Sequence, residues 1–149
     1  MPRQLTNDDY QRLLQFRTSL RRFLHWSEQQ ARVQDLTAAQ HQLLLAIKGH
    51  PDPRGPTIGD AAGYLLLRHH SAVGLVDRAE ANGLVTRTPD PDHRGTVRLT
   101  LTDDGDRRLQ ALSELHIEEL ARLARAMQSL VTDLQDHGSA SRPHSGAAT

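Results

Sequence analysis

Residues 88–100 read TPDPDHRGTVRLT, and this stretch decides the fold. Two prolines and a glycine crowd around one arginine, Arg94, and hold it on a stiff tip. Prolines suit the tip of a hairpin because no ladder hydrogen bond is lost there. Apolar and polar residues alternate on both sides of the tip, over 85–87 and 97–101, so the sequence predicts two half-buried strands.

Two helices are predicted before this hairpin. Thr57 and Asp60 have the spacing of a capping box and open a short helix, TIGDAAGYL. A second run, about 69–82, has apolar residues at helical spacing and ends at a glycine. Only a few residues near 66–68 separate the two, which is the helix-turn-helix pattern, although Leu66 stands where the turn commonly has a glycine. With the hairpin behind it, this order predicts a winged helix.

Long helical patterns flank the winged helix. Over about 8–33, apolar residues populate more than one face, which suits a helix that packs on two sides at a subunit interface. A capping box at 37–40 opens another helix, with Gly49 as its stop, and Thr102 caps a long one whose apolar stripe runs to Leu134. The predicted fold class is mainly α with a small β-wing, a winged helix-turn-helix flanked by amino- and carboxy-terminal dimerisation helices.

Composition narrows the possible classes of protein. The 149 residues are 37% hydrophobic and 3% aromatic, which favours an elongated subunit that completes its core against a second copy. The absence of cysteine excludes disulfides and thiolate metal sites. No apolar run approaches the roughly 18 residues of a membrane span, and no secretion signal is evident near the amino terminus, so we expect a cytoplasmic protein without a membrane partner.

The charge balance leaves two possibilities open. Lys+Arg and Asp+Glu are both 18, whereas a nucleic-acid binder is often basic. Either the positive charge is segregated onto one face of the molecule, or nucleic acid is not the partner. Nearly all of that charge is arginine, since Lys48 is the single lysine. Arginine is suited to bidentate contacts with phosphate and guanine.

Three segments, in order, resemble the MarR-type regulators, a family of bacterial winged-helix transcription factors. They are LTAAQHQLLLAI at 36–47, HHSAVGLVDRAEANGLVTR at 69–87 and DPDHRGTVRLTLTDDG at 90–105. The most specific part is the wing signature, Asp-x-Arg, at Asp92 and Arg94. The resemblance implies a homodimer that binds a near-palindromic DNA operator, usually as a repressor that a small organic effector releases.

The resemblance also implies the domain organisation. We expect one winged-helix regulator subunit over residues 1–137. Its DNA-binding lobe covers about 37–101 and its dimerisation helices about 8–33 and 103–135. The small, polar stretch 138–149 is expected to be a disordered tail.

The positions of the family's DNA contacts carry over to seven residues: Thr57, Arg68, His69, His70, Ser71, Asp92 and Arg94. Residues 68–71 start the recognition helix and contact base edges and phosphates. Arg94 enters the minor groove, and Asp92 orients it through a charge-assisted hydrogen bond. The Thr57 amide, at a helix start, holds a phosphate. Members commonly have serines and threonines where this chain has RHHS, so the operator sequence does not carry over.

An effector site is expected where the flanking helices meet the DNA-binding lobe. Arg17, His25, Trp26 and His41 offer a cation, an aromatic wall and hydrogen-bond donors, which suit a small aromatic or acidic ligand. The alternative is that Trp26 and Tyr10 fill the dimer core, which we favour for Tyr10. The sequence does not identify the effector.

Catalysis and metal binding are two alternative functions that the sequence argues against. His70 and Ser71 are adjacent on a helix and point in different directions, so they cannot act as base and nucleophile. No HExxH motif or phosphate-binding glycine loop is present either. The nine histidines include no pair with tight ligand spacing within a helix. We therefore expect no enzyme, no cofactor and no metal.

The runner-up function is a winged helix that serves as a protein-interaction module without binding DNA. The zero net charge keeps this alternative open. The two functions differ in what loss of Arg94 would do: it would weaken operator binding in a regulator and change nothing about DNA in an interaction module.

Overall fold

The computed structural model describes residues 2–139, and the side chains of residues 2–136. The elements in chain order are α1 (Asn7–Val33), α2 (Ala38–Gly49), α3 (Ile58–Leu65), α4 (His69–Ala81), β1 (Val85–Pro89), β2 (Val97–Leu101) and α5 (Asp103–Ser139). This order confirms the predicted fold class, mainly α with a small β-wing. None of the helices in the described range is long and apolar enough to cross a membrane.

The carboxy-terminal boundary differs from the prediction. Helix α5 continues to Ser139, past the expected end near residue 135 and into the predicted tail. The sequence prediction placed the start of the tail at Gly138, but a single glycine weakens a helix without ending it. Residues 140–149 of that predicted tail lie outside the described residues.

The chain divides into two compact units. The first unit combines the chain up to Trp26 with the chain from Ile117 onward, and the second is Ser27–His116. In the first unit, large apolar side chains of both helical segments are exposed. They include Tyr10, Leu13, Leu14, Leu24, Ile117 and Leu120.

The second unit contains the hydrophobic core. Leucines and valines from α2, α4, the turn before β1, both strands and the start of α5 are almost fully buried there. They include Leu43, Leu44, Val76, Leu84, Val85, Leu99 and Leu112. The strands pair antiparallel, with Val85 opposite Leu101 and Pro89 opposite Val97. The predicted hairpin is therefore confirmed, and its inward residues join the same core as the helices.

Local helix signals are confirmed at three of the predicted starts. Both capping boxes, at Thr37 and at Thr57, have their two reciprocal hydrogen bonds. Thr102 caps α5, since its hydroxyl oxygen accepts the Gly105 amide at 3.0 Å. The predicted stop at Gly49 is different in detail, because Gly49 remains helical and the chain turns extended only at His50. His50 precedes a proline, and a residue before proline is excluded from the helical region.

Candidate nucleic-acid interface

The start of α4 presents four polar side chains to solvent. Arg68 is the N-cap residue, and its side chain forms no capping hydrogen bond. Arg68, His69, His70 and Ser71 are all exposed. Within residues 2–139 none of the four side chains has a hydrogen bond or ion pair to the rest of the chain. They contribute to neither core nor cap, so they are available to a partner.

The turn before α4 is made by an unusual residue. Leu66 adopts φ 55° and ψ 40°, the left-handed conformation that favours glycine, and its amide bonds back to Ala62 and Gly63. The Leu66 side chain is 92% exposed. The helix-turn-helix therefore keeps a left-handed turn without the usual glycine, and α3 ends at Leu65.

The predicted role of Thr57 meets an obstacle. Its backbone amide donates to the Asp60 carboxylate at 3.0 Å, and its hydroxyl oxygen accepts the Asp60 amide at 3.1 Å. The amide hydrogen bond lowers the pKa of Asp60 and so favours a negative charge at this helix start. A phosphate would have to displace that carboxylate. The phosphate contact of Thr57 stays a prediction, which this geometry does not favour.

The wing tip is organised by Asp90, which the sequence prediction missed. Asp90 is only 5% exposed. Its carboxylate accepts the Asp92 amide and the Arg98 Nε, each at 2.9 Å. The Asp92 amide, followed by Arg98, holds the pKa of Asp90 below its usual value. An aspartate that bonds the amide two residues ahead forms an Asx-turn, and this local pattern could have indicated Asp90 from the sequence.

Asp92 does not orient Arg94 as the resemblance implied. Asp92 is exposed, and its carboxylate accepts Nη1 of Arg54 at 3.3 Å. Arg54 comes from the loop before α3 and also pairs with Asp52 at 2.9 Å. Arg94 itself has no ion pair within residues 2–139. Asp92 therefore bonds Arg54 and not Arg94 as predicted. Local spacing cannot reveal this partner, because Arg54 lies in a distant part of the sequence.

The base of the wing is fixed to the loop that leads into α3. The Leu99 amide donates to the Pro56 carbonyl at 2.9 Å, and Arg98 Nη1 donates to the Gly55 carbonyl at 3.2 Å. Gly55 has φ +90°, and a Cβ on it would lie 2.0 Å from the Leu99 carbonyl oxygen. Only glycine fits this close approach of two backbones. The hairpin and the start of the helix-turn-helix are therefore held together.

Ion pairs neutralise most basic side chains of the second unit. Lys48 pairs with Asp106 at 2.7 Å, and Arg108 pairs with Asp104 at 2.9 Å. Three arginines of this unit have no ion pair among the described residues, and they are Arg68, Arg78 and Arg94. All three lie on the helix-turn-helix or the wing. Within this unit, the uncompensated positive charge therefore lies on the helix-turn-helix and the wing.

The four predicted effector residues belong to different units. Arg17, His25 and Trp26 lie on α1 in the first unit, and His41 lies in the second, so neither unit contains the whole set. A shallow depression of about 380 Å³ is lined by Thr18, Arg21, Arg22, His25 and Trp26. Arg17 is not among its lining residues.

His41 is a core residue of its unit. It is 7% exposed, and its ring packs edge-on against His116 with centroids 4.8 Å apart. Burial, followed by the neighbouring His116, lowers the pKa of His41 to about 4. No cluster of three or more His, Cys, Asp or Glu side chains that could hold a metal ion occurs in the part of the chain that the structure describes.

A comparison with known protein families matches the region that contains the candidate interface. Residues 34–94, from the end of α1 to the wing tip, match the family described as the MarR family. Over these residues the chain is similar to the MarR family. The match ends at Arg94 and so includes the helix-turn-helix together with the residues of the wing signature.

Three curated proteins share sequence with this chain. The uncharacterized HTH-type transcriptional regulators YsmB and YkoM of Bacillus subtilis are 39% identical over 54 residues and 33% identical over 84 residues. These matches cover 36% and 56% of this chain and 37% and 53% of the relatives. The transcriptional activatory protein BadR of Rhodopseudomonas palustris is 33% identical over 70 residues, 47% of this chain and 40% of BadR. The matched part thus spans about half or less of each relative.

Solved structures of MarR-type proteins share the fold. The MarR family regulator AbsC from Streptomyces coelicolor has a TM-score of 0.70 at 17% identity, covering 91% of this chain and 93% of AbsC. The Staphylococcus aureus MepR–DNA complex has a TM-score of 0.66 at 19% identity, covering 92% and 99%. Bordetella bronchiseptica BpsR, described with regulation of its DNA binding by 6-hydroxynicotinic acid, has a TM-score of 0.61 at 21% identity, covering 83% and 94%.

Proposed function

We propose that this chain is a MarR-family transcriptional regulator that binds a near-palindromic DNA operator as a homodimer. The observation that carries the proposal is the position of the uncompensated arginines of the second unit, all of them on the helix-turn-helix or the wing. Cations without internal partners supply the salt-dependent attraction to phosphates on which DNA binding rests. MepR, a structural relative, has been solved with DNA, which supports the same use of the fold here.

The DNA contacts follow from the geometry of a winged helix. The start of α4 enters the major groove, where Arg68, His69, His70 and Ser71 meet base edges and phosphates. The wing tip brings Arg94 to the adjoining minor groove. Asp92 acts indirectly, through its bond to Arg54, by holding the tip in place.

The homodimer supplies the second recognition helix. The exposed apolar side chains of α1 and α5 in the first unit are the surface that a second copy would cover. Two recognition helices about 34–36 Å apart then match successive major grooves of a near-palindromic site. Since bacterial operators lie in the cytoplasm, the protein acts there.

Release by a small effector is the regulatory half of the proposal. Arg17, His25 and Trp26 on α1 remain the candidate anchors for an aromatic or acidic molecule, while His41 contributes only through the core of its own unit. BpsR, regulated by 6-hydroxynicotinic acid, supports this class of ligand. Repression is the expected direction, although the relative BadR is an activator. The effector must bind the free and DNA-bound dimers with different affinity, since equal affinity shifts no equilibrium.

The test is a titration of the purified protein against its own upstream intergenic DNA, at two salt concentrations, beside an unrelated duplex. We expect tight, saturable and salt-sensitive binding to the first duplex, and only weak non-specific binding to the second. Arg94→Ala should weaken this binding by about 1–3 kcal/mol while the protein stays folded. Arg107→Ala is the matched control, because Arg107 is exposed on α5 and already paired with Asp104.

Two results of this titration would contradict these expectations. If neither duplex binds, even at low salt, the winged helix is a protein-interaction module and the proposal is wrong. If Arg94→Ala and Arg107→Ala weaken binding equally, the wing tip has no specific role in the complex.

A further inference from the structure

We propose that Arg78 is an additional DNA contact that binds a backbone phosphate beside the major groove, from a position set by Gly74. This inference rests on the proposed DNA-binding function and adds to it. Arg78 is not among the residues that the family resemblance carried over. Its case rests on charge, space and position along α4.

The positive charge of Arg78 is uncompensated although acidic residues lie nearby. Arg78 is exposed and has two acidic neighbours on its helix, Asp77 and Glu80. Both carboxylates pair with Arg87 of β1, and the Glu80–Arg87 pair measures 3.2 Å. The wing strand therefore neutralises the acids of α4, and within the described residues the guanidinium of Arg78 is left without an ion pair.

Gly74 leaves room for the guanidinium of Arg78 beside the helix. A Cβ placed on Gly74 would lie 3.3 Å from Nη1 of Arg78, so the guanidinium lies over the helix one turn toward its amino terminus. A glycine inside a helix is destabilising relative to alanine. Gly74 does not have a positive φ that would require glycine. What glycine provides at this position is room for the Arg78 side chain to lie close to the helix.

The position of Arg78 along α4 indicates which part of the DNA it can reach. The first residues of a recognition helix read base edges, whereas Arg78 is in the last turn. From there, the partner in reach is the phosphate backbone that borders the groove. Guanidinium is suited to this partner because its fork donates two parallel hydrogen bonds to phosphate oxygens.

The experiment compares Arg78→Ala, Gly74→Ala and the control Arg107→Ala. The probes are the protein's own upstream intergenic duplex and a scrambled duplex of the same composition, each titrated over a range of salt. We expect Arg78→Ala to weaken binding to both duplexes about 5- to 10-fold and to reduce the slope of log K against log salt by about 1. Gly74→Ala should weaken binding in the same sense while raising Tm by about 2–4 °C, because alanine favours the helix.

Each result decides a separate point. Wild-type affinity and salt slope in Arg78→Ala, with Arg94→Ala still weakened, would overturn the inference and leave the proposed function standing. Loss confined to the protein's own duplex would assign Arg78 to a base instead of a phosphate, which also contradicts the inference. Normal binding by Gly74→Ala would remove the role given to Gly74. If the wild-type protein binds neither duplex, the proposed function itself fails.

Discussion

At the scale of single residues, the left-handed backbone conformation of Leu66 has an energetic cost. A left-handed conformation brings Cβ close to the following carbonyl oxygen, which costs an L-residue roughly 1–2 kcal/mol and glycine almost nothing. The Leu66 side chain is 92% exposed, so burial does not offset this cost. The turn is maintained by the packing of α3 and α4 on either side of it.

We therefore predict that Leu66→Gly stabilises the protein by about 1 kcal/mol. Urea unfolding monitored by circular dichroism gives the free energy of unfolding for wild type and variant. Leu67→Gly is the matched control, since Leu67 has no positive φ and is more buried, and it should lose stability. A loss of stability in Leu66→Gly as well would mean that the exposed leucine makes contacts that outweigh its backbone strain.

The residues of the wing show how far sequence reasoning reaches at this scale. Spacing correctly marked the tip and Arg94 as exposed on it. The family resemblance gave Asp92 the role of orienting Arg94, whereas the carboxylate that organises the tip is that of Asp90, which is buried against Arg98. The Asx-turn pattern is a local signal for Asp90, but its bond to Arg98 also depends on the position of the opposite strand. Arg54 was not predictable, because its partner Asp92 is far along the chain.

At the scale of elements, local signals were predicted and long-range ones were not. Capping boxes involve residues three apart, and the predictions at Thr37 and Thr57 are confirmed by the hydrogen bonds. The prediction for the end of α5 was wrong by several residues, because helix ends depend on small differences in propensity. The attachment of the wing to the loop at Gly55 was missed altogether, since it depends on a close approach between distant segments.

Helix α4 supplies the prediction at this scale, because it starts without a side-chain cap. Arg68→Ser places a good capping residue at the N-cap and should stabilise the protein by about 1 kcal/mol. The same change removes an uncompensated cation from the proposed interface and should weaken DNA binding. The two measurements are a thermal unfolding curve and a titration of the intergenic duplex.

We expect Arg68→Ser to raise the Tm and to lower the affinity for the intergenic duplex. A control, Gln42→Ser, changes an exposed side chain within α2 and should slightly lower stability without stabilising any cap. If Arg68→Ser gains stability and binds DNA as tightly as wild type, Arg68 makes no contact with the operator.

At the scale of the whole molecule, the buried His41, which packs against the half-buried His116, couples stability to pH. Nε2 of His116 lies 2.7 Å from Ser27 Oγ, and Nδ1 lies 2.7 Å from the Leu112 carbonyl oxygen. Since a carbonyl only accepts, Nδ1 of His116 is the donor to Leu112. His41 packs edge-on against this ring, and its pKa is lowered to about 4 mainly by burial.

The sign of the pH effect follows from that lowered pKa. His41 in the unfolded chain takes up a proton near pH 6.5, whereas in the folded protein it does so only near pH 4. The unfolded state therefore binds more protons in this interval, and acid favours unfolding. We predict that the free energy of unfolding falls by about 1–2 kcal/mol between roughly pH 7.5 and pH 5.

Urea unfolding at several pH values tests this expectation. His41→Gln removes the titrating group and should flatten the decline. His69→Gln alters an exposed histidine of α4 and should leave it unchanged. A decline that persists in His41→Gln would assign the acid sensitivity to other groups.

The separation of the residues at 68–71 from the core has a consequence for how this protein can change over generations. Those four side chains take no part in burial, capping or internal ion pairing. Apart from the N-cap position of Arg68, substitutions at such surface positions usually alter stability by less than about 0.5 kcal/mol. The part of the sequence proposed to choose the operator can thus drift almost independently of the part that folds. After a gene duplication, one copy can acquire a new target through a few codons, and a library randomised at these four codons will consist mostly of folded proteins.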